Sequence, residues 1–151
     1  MPDIYTPEWY EALRQLINND ELIRSKAPQG QWTAVVELVG DGLSPYVREG
    51  TTKRFLVHIE DGQCTWYRQL ADDEEPEPGS LDYRFTGPAS VFDEIAAGIT
   101  DPVDAGLEGR IKIRGDMRFL MRQAELVKEI LDIYQRGLQT EWPLGKPPYR
   151  S

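Results

Sequence analysis

The side chains best suited to covalent or acid–base chemistry are the single cysteine and the single histidine, Cys64 and His58. A nucleophilic thiol needs a base within hydrogen-bond reach. Between the two residues, Asp61-Gly62 has the composition of a two-residue type I′ hairpin turn, which would pair Ile59 with Cys64. Because side chains alternate along a strand, that register places Cys64 and His58 on opposite faces of a sheet. The pattern therefore predicts no Cys–His pair.

Other catalytic and ligand-binding motifs are missing from the sequence. There is no Gly-x-Ser-x-Gly elbow, no phosphate-binding loop and no dinucleotide fingerprint. One histidine and one cysteine cannot build a zinc site. The acidic stretch 71–80 lacks the spacing and the central glycine of a calcium loop, and is predicted to be a solvated loop. We therefore expect no enzyme activity, no metal and no cofactor.

Composition narrows the class of protein and its partners. The 151 residues, 40% of them hydrophobic, predict one domain over 1–151 with a substantial core. The net charge of −9 argues against nucleic acid, whose phosphates would repel the chain. A single cysteine and the absence of a signal pattern or a bilayer-length apolar run predict a cytoplasmic protein with at most transient membrane contact.

One cluster of cations stands against this acidic background. The simpler interpretation is that these side chains pair with acids across strands or are solvated. The alternative is a local patch that meets anionic lipid headgroups. The cluster consists of Arg110, Lys112, Arg114, Arg118 and Arg122.

The elements that must position any site can be read from hydrophobic periodicity and from helix-capping residues. Thr6-Pro7-Glu8 predicts the start of an N-terminal helix over about 7–25, interrupted near 18–20, with Asp20 capping its continuation. A short helix is predicted to end at Gly98, and Asp116 to cap a long last helix. The tail, about 139–151, is proline-rich and predicted to be an extended strap, packed on the domain or offered to a partner. Five strands are expected, at 31–40, at 53–60, directly after the 61–62 turn, at 81–86 and at 109–115.

Two apolar stripes run along the predicted last helix and cover about half of its circumference. One packing surface needs a stripe only about 100° wide, so this helix requires a second partner besides the sheet. The first stripe is Leu120, Ala124, Val127, Leu131 and Tyr134; the second is Phe119, Leu126, Ile130 and Ile133.

The half of the chain from about Leu81 to Tyr134 resembles the sterol carrier protein 2 (SCP2) domain family. The resemblance rests on the order of several motifs: Asp82 opening an aromatic-rich strand, a helix closing at Gly98, Ile-Thr-Asp-Pro at 99–102, an alanine at 105 and Gly-Arg-Ile-Lys-Ile-Arg-Gly-Asp at 109–116. It implies an α/β (α+β) fold, in which a five-stranded, mostly antiparallel sheet with helices covering one face encloses an apolar cavity. It also implies non-catalytic binding of lipids. The acidic charge departs from relatives that bind anionic lipids.

The leading prediction is therefore binding, with transfer as a further step, of a sterol, fatty acid or acyl chain between sheet and helices. The alternative is a protein-interaction, dimerisation or accessory module, as in lipid or quinone metabolism, that buries the second stripe against a twin subunit or another protein. The predicted cavity walls are Val36, Val57, Trp66, Phe85, Val91, Ile95, Ile111, Ile113, Leu120, Ala124, Val127 and Leu131.

Overall fold

The fold is organised around one five-stranded sheet, with helices before, between and after its strands. The computed structural model describes residues 2–71, 74–77, 79–123, 125–126, 128–129 and 140–149. In chain order the elements over these ranges are α1 (Pro7–Asn19), α2 (Glu21–Lys26), β1 (Gln31–Val39), β2 (Thr52–Glu60), β3 (Gln63–Gln69), β4 (Tyr83–Pro88), α3 (Ala89–Ala96), α4 (Pro102–Leu107), β5 (Lys112–Arg114) and α5 (Met117–Arg122).

The strands lie in the order β3-β2-β1-β4-β5. β1 is antiparallel to β2 and parallel to β4, while the β2–β3 and β4–β5 pairs are antiparallel. β3 and β4 follow each other in the chain, run in the same direction and lie on opposite sides of β1. The segment between them therefore crosses the sheet instead of forming a hairpin. The predicted five-stranded, mostly antiparallel sheet with helices is confirmed.

The two faces of the sheet differ in what they bury. Val36 is in register with Phe55 on β2 and with Phe85 on β4, so these three side chains share one face, called the helical face below. Trp9 of α1 and Ala89 of α3 belong to the core cluster on this face. The opposite face carries a smaller apolar cluster and buried charges: Val35, Leu56, Leu70, Glu37 and Arg54.

Most helix starts were visible in the sequence. The side chains of Thr6, Asp20 and Asp116 accept the N-terminal amides of α1, α2 and α5, as predicted. α4, between the helix predicted to end at Gly98 and the strand predicted at 109–115, was not predicted. The structure instead shows a helix whose N-cap, Asp101, accepts the amide of Val103 at 2.8 Å.

The β2–β3 hairpin contains the largest error in the predicted register. Ile59 pairs with Cys64 as expected, but the register then shifts, so that Trp66 lies opposite His58 and Val57 opposite Tyr67. An extra residue in one strand turns the following side chains to the other face. Trp66 therefore stacks on the His58 ring and stays 43% exposed, and its predicted place on the buried face is wrong.

The last strand is shorter than predicted, covering Lys112–Arg114 rather than 109–115. The amides of Arg110 and Ile111 both donate to the carbonyl oxygen of Ala105 in α4, at 2.9 and 3.2 Å. These bonds hold the segment against the end of α4, so pairing with β4 begins only at Lys112.

The C-terminal tail packs on the domain over its described residues, 140–149. The indole of Trp9 donates to Thr140 Oγ1 at 2.9 Å, and Ile4 N donates to the Glu141 carbonyl at 3.1 Å. Tyr46 Oη donates to the carbonyl oxygen of Gly145 at 2.7 Å. Of the two arrangements left open by the sequence, this part of the tail therefore adopts the packed one.

Candidate functional site

A cavity of about 260 Å³ lies between the helical face of the sheet and the helices α3, α4 and α5. None of the described side chains that line it carries a charge, so these residues can recognise a ligand by burying apolar surface. Its described lining comprises Val36, Phe85, Phe92, Ile95, Pro102, Val103, Gly106, Leu107, Ile111, Ile113, Met117, Leu120 and Met121.

The floor of the cavity is a row of side chains across three strands. Val36 of β1 is in register with Phe85 of β4, which is in register with Ile113 of β5. Because paired residues in adjacent strands point to the same face, the three side chains form one continuous apolar surface.

The walls come from three short helices, each contributing residues at helical spacing. Phe92 and Ile95 of α3 are three positions apart, which places them on one helix face. On α5 the same spacing joins Met117, Leu120 and Met121, at i, i+3 and i+4. The α4 wall consists of Pro102, Val103, Gly106 and Leu107.

The mouth of the cavity, defined here as Leu107, Met117 and Met121, lies between the end of α4 and α5. These three residues line the cavity although they are 67%, 40% and 45% exposed. By contrast, Ile111 lines the cavity and is only 4% exposed. The interior of the cavity therefore communicates with the surface at this mouth.

The predicted cavity walls divide into three groups. Val36, Phe85, Ile95, Ile111, Ile113 and Leu120 line the cavity. Ala124, Val127 and Leu131 lie outside the described residues. The other three, Val57, Trp66 and Val91, were placed wrongly as lining residues. Whether any of these residues binds a ligand remains a prediction.

Each misplacement has a physical reason. Val57 lies on β2, two strands from β4, and pairs with Ala34 and Tyr67; the described lining takes no residue from β2. Trp66 is turned to the opposite face by the register shift in β3. Val91 is 8% exposed and packs in a cluster with Ala105 and Ile111, so it supports the lining from behind.

Seven lining residues were not predicted. Four of them belong to α4, which the glycine and proline content of 98–109 concealed, although Asp101-Pro102 is a sequence signal for a helix start. Met117 and Met121 lie four residues apart on the predicted last helix and could have been added to its first stripe. The seven are Phe92, Pro102, Val103, Gly106, Leu107, Met117 and Met121.

The two residues with the most reactive side chains do not meet. Burial raises the pKa of the Cys64 thiol, which favours its protonated, weakly nucleophilic form. His58 Nδ1 is hydrogen-bonded to Thr33 Oγ1 at 2.9 Å and its ring stacks on Trp66. In the part of the chain that the structure describes, no group of three or more His, Cys, Asp or Glu could hold a metal ion.

Gly115 joins β5 to α5 and so sets the position of the α5 wall. Its φ is +140°, and a Cβ built there would lie 2.3 Å from Tyr83 Cδ1 and 2.7 Å from the backbone oxygen of Asp82. We expect Gly115→Ala to lower the free energy of unfolding by about 3 kcal/mol, because the tight backbone contact adds to the conformational strain. Urea unfolding measures the change.

Gly109→Ala is the matched control for this prediction. Gly109 also has a positive φ, +78°, but nothing lies within 4 Å of its Cβ position. Strain alone should then cost about 1 kcal/mol. Equal losses in the two variants would show that the contact with Tyr83 and Asp82 is unimportant.

Comparison with known proteins bears directly on this site. A family model described as the SCP-2 sterol transfer family matches residues 34–128, a range that includes every described residue of the cavity lining. No curated protein sequence matches the chain. Over the described residues, no helix is long and apolar enough to cross a membrane.

Several solved structures are similar in fold. A Thermus thermophilus protein described as a candidate sterol carrier protein has a TM-score of 0.75 and 16% identity, over 95% of this chain and 94% of that one. A crystal structure of sterol carrier protein 2 gives 0.68 and 14%, over 89% and 98%. Palmitated SCP2L2 from Aedes aegypti gives 0.50 and 14%, over 78% and 92%. At such identities the similarity establishes the fold alone.

Proposed function

The chain belongs to the SCP-2 sterol transfer family, and from that premise we propose that it binds a lipid in the cavity between the sheet and α3–α5, without converting it chemically. The observation that carries this proposal is the lining: thirteen described residues, all inside the family match, enclose about 260 Å³ without a polar side chain. The proposal places this binding in the cytoplasm.

The size of the cavity favours a slender ligand. Ligand pockets in proteins usually span about 300–1,000 Å³, and this cavity lies just below that range at about 260 Å³. A single acyl chain can fold into such a space and leave its polar end at the mouth. The palmitated state of the Aedes aegypti neighbour shows that a domain of this fold can carry an acyl chain.

The expected affinity follows from the buried apolar surface. Each buried methylene contributes about 0.8 kcal/mol, so about ten of them contribute roughly 8 kcal/mol. That free energy corresponds to a dissociation constant of about 1 μM, before the cost of ordering the chain is subtracted. After that cost we expect binding in the micromolar range or weaker, which strengthens with chain length until the cavity is full.

Two measurements test the proposal. Mass spectrometry of an organic extract of the purified protein should reveal co-purified lipid. Titration with a fluorescent fatty acid should saturate at about one molecule per chain, and palmitate should displace the probe. An empty extract together with a fluorescence signal no larger than that of an unrelated acidic protein would refute lipid binding.

The alternative function, an interaction module, finds no specific support in the described part of the second stripe. Phe119 stacks on Trp32 within the chain, with ring centroids 5.1 Å apart, and the Arg122 guanidinium lies over the Phe119 ring, 5.9 Å from its centroid. This ring is therefore already engaged in an intramolecular contact. If the lipid-bound protein sediments as a monomer, this result would agree with the second stripe packing within the chain and not against a twin subunit.

A further inference from the structure

The surface beside the cavity mouth has a charge opposite to that of the whole chain. Residues 110–122 contain five cationic side chains and one acidic side chain, whereas the chain carries a net charge of −9. The acid, Asp116, accepts the amide of Phe119 at 3.0 Å as the N-cap of α5. This short segment therefore concentrates positive charge at the place where the cavity opens.

Only part of that positive charge is neutralised within the chain. Arg110 pairs with Glu108 at 2.9 Å. Lys112, Arg114 and Arg118 have no ion pair among the residues that the structure describes, and all three are exposed. Arg122 is also exposed and contacts the Phe119 ring, and it forms no ion pair with another described residue.

The two arginines of α5 lie directly beside the methionines of the mouth. Arg118 follows Met117 and Arg122 follows Met121, so each pair repeats at i and i+4. On a helix this spacing produces two parallel stripes, one apolar and one cationic, about 100° apart around the axis. Exposed apolar side chains flanked by arginines form the surface expected of a helix that lies at a lipid–water interface.

The surroundings of this surface also matter. Ile113 faces the cavity, so its neighbours Lys112 and Arg114 point to the other side of the sheet edge and contribute only to the local field. On the α4 side, Asp104 is exposed and forms no ion pair with another described residue. Beyond the end of α5, Glu125 is paired with Lys26 at 3.4 Å. The α5 side of the mouth is therefore the cationic side.

We infer that the cavity mouth docks on an anionic lipid bilayer, with Met117 and Met121 at the headgroup boundary and Arg118 and Arg122 on lipid phosphates. This inference rests on the proposed function, because a lipid cargo would leave or enter the bilayer through the same mouth. A bilayer is favoured over an acidic protein because the apolar stripe is continuous with the interior of the cavity. The acidic remainder of the chain should be repelled, so only this orientation can bind, and binding should be weak and sensitive to salt.

Vesicle flotation with the full chain tests the inference. The protein should float with vesicles of phosphatidylcholine containing about one-third phosphatidylserine at low salt, and should not float with phosphatidylcholine alone or at high salt. Arg118→Glu/Arg122→Glu should weaken the partitioning at least about tenfold. The matched control is Arg24→Glu/Arg48→Glu, which makes the same charge change at exposed positions that do not line the cavity and should lose much less.

Each outcome decides between the two proposals. Flotation that is absent in the unaltered protein, independent of phosphatidylserine, or equally weakened by both double variants overturns the docking surface. Fluorescent fatty acid should bind the Arg118→Glu/Arg122→Glu protein as it binds the unaltered one, which also shows that the variant is folded. Flotation without fatty-acid binding would refute the proposed function and leave the docking surface standing.

Discussion

Filling the cavity with Val103→Phe and Leu120→Phe together is expected to abolish measurable fatty-acid binding while the fold is retained. Both side chains line the cavity and both are half-buried. The larger rings can enter existing space, so neither change requires the surrounding core to be repacked. Each methylene of the ligand that is excluded removes about 0.8 kcal/mol, so two excluded methylenes already weaken binding more than tenfold.

The measurement is a titration of the double variant with the same fluorescent fatty acid, together with its melting temperature. Leu22→Phe/Leu144→Phe is the matched control, because both leucines are exposed, at 43% and 61%, and neither lines the cavity. The control should bind as the unaltered protein does, and both variants should melt within a few degrees of it. Unchanged affinity in a folded Val103→Phe/Leu120→Phe protein would place the ligand elsewhere.

The sheet could be predicted because its signals are local. Alternation along β1 and β4 marks Val36 and Phe85 as members of one face. Asp61-Gly62 identifies a hairpin, and both residues adopt the positive φ that such a turn requires. What the pattern cannot specify is the extra residue in β3. A one-residue slip there reverses every later side chain, and Trp66 moved from the predicted cavity to the opposite face.

Only about half of the cavity lining could be predicted, because some of its elements have a clear sequence pattern and others do not. The strand floor follows from period-2 alternation, whereas α4 is six residues long and contains both proline and glycine. Such a short helix has little intrinsic stability, and here it is held by its Asp101 cap and by burial of Ala105, which is fully buried. Tertiary packing therefore determines that this segment is helical, although its local composition is that of a turn.

Contacts between distant residues left no trace in the sequence pattern. Trp32 and Phe119 stack although they are far apart in the chain, and this stacking directs one side of α5 toward the start of β1. The most consequential example is Asp93, on α3. It is fully buried, and it binds residues from both ends of the chain.

Asp93→Ala is expected to lower the free energy of unfolding by about 3–4 kcal/mol. The Asp93 carboxyl accepts Tyr5 Oη at 2.5 Å and Tyr149 Oη at 2.6 Å. Burial, followed by the hydrogen bond to Asp93, raises the pKa of Tyr149, so its phenol remains a donor over the ordinary pH range. Removing the carboxyl leaves both phenols without their acceptor. Each lost hydrogen bond costs about 1.5–3 kcal/mol of stability. Water that reaches the phenol of the tail recovers part of this cost. For a chain of this size the melting temperature should fall by roughly 10 °C.

We call the hydrogen bonds of Asp93 to Tyr5 and Tyr149 the clamp. A double-mutant cycle separates the loss of these bonds from a simple loss of packing. Tyr149→Phe removes one hydrogen bond and should cost about 1–2 kcal/mol. Combined with Asp93→Ala it should add little, because the bond it removes is already lost. Fully additive losses, or an Asp93→Ala protein as stable as the unaltered one, would contradict the clamp. Because Phe92 and Ile95 flank Asp93 on α3 and line the cavity, loosening the clamp should also weaken fatty-acid binding. The tail would then be tied to the site through the helix that Tyr149 holds in place.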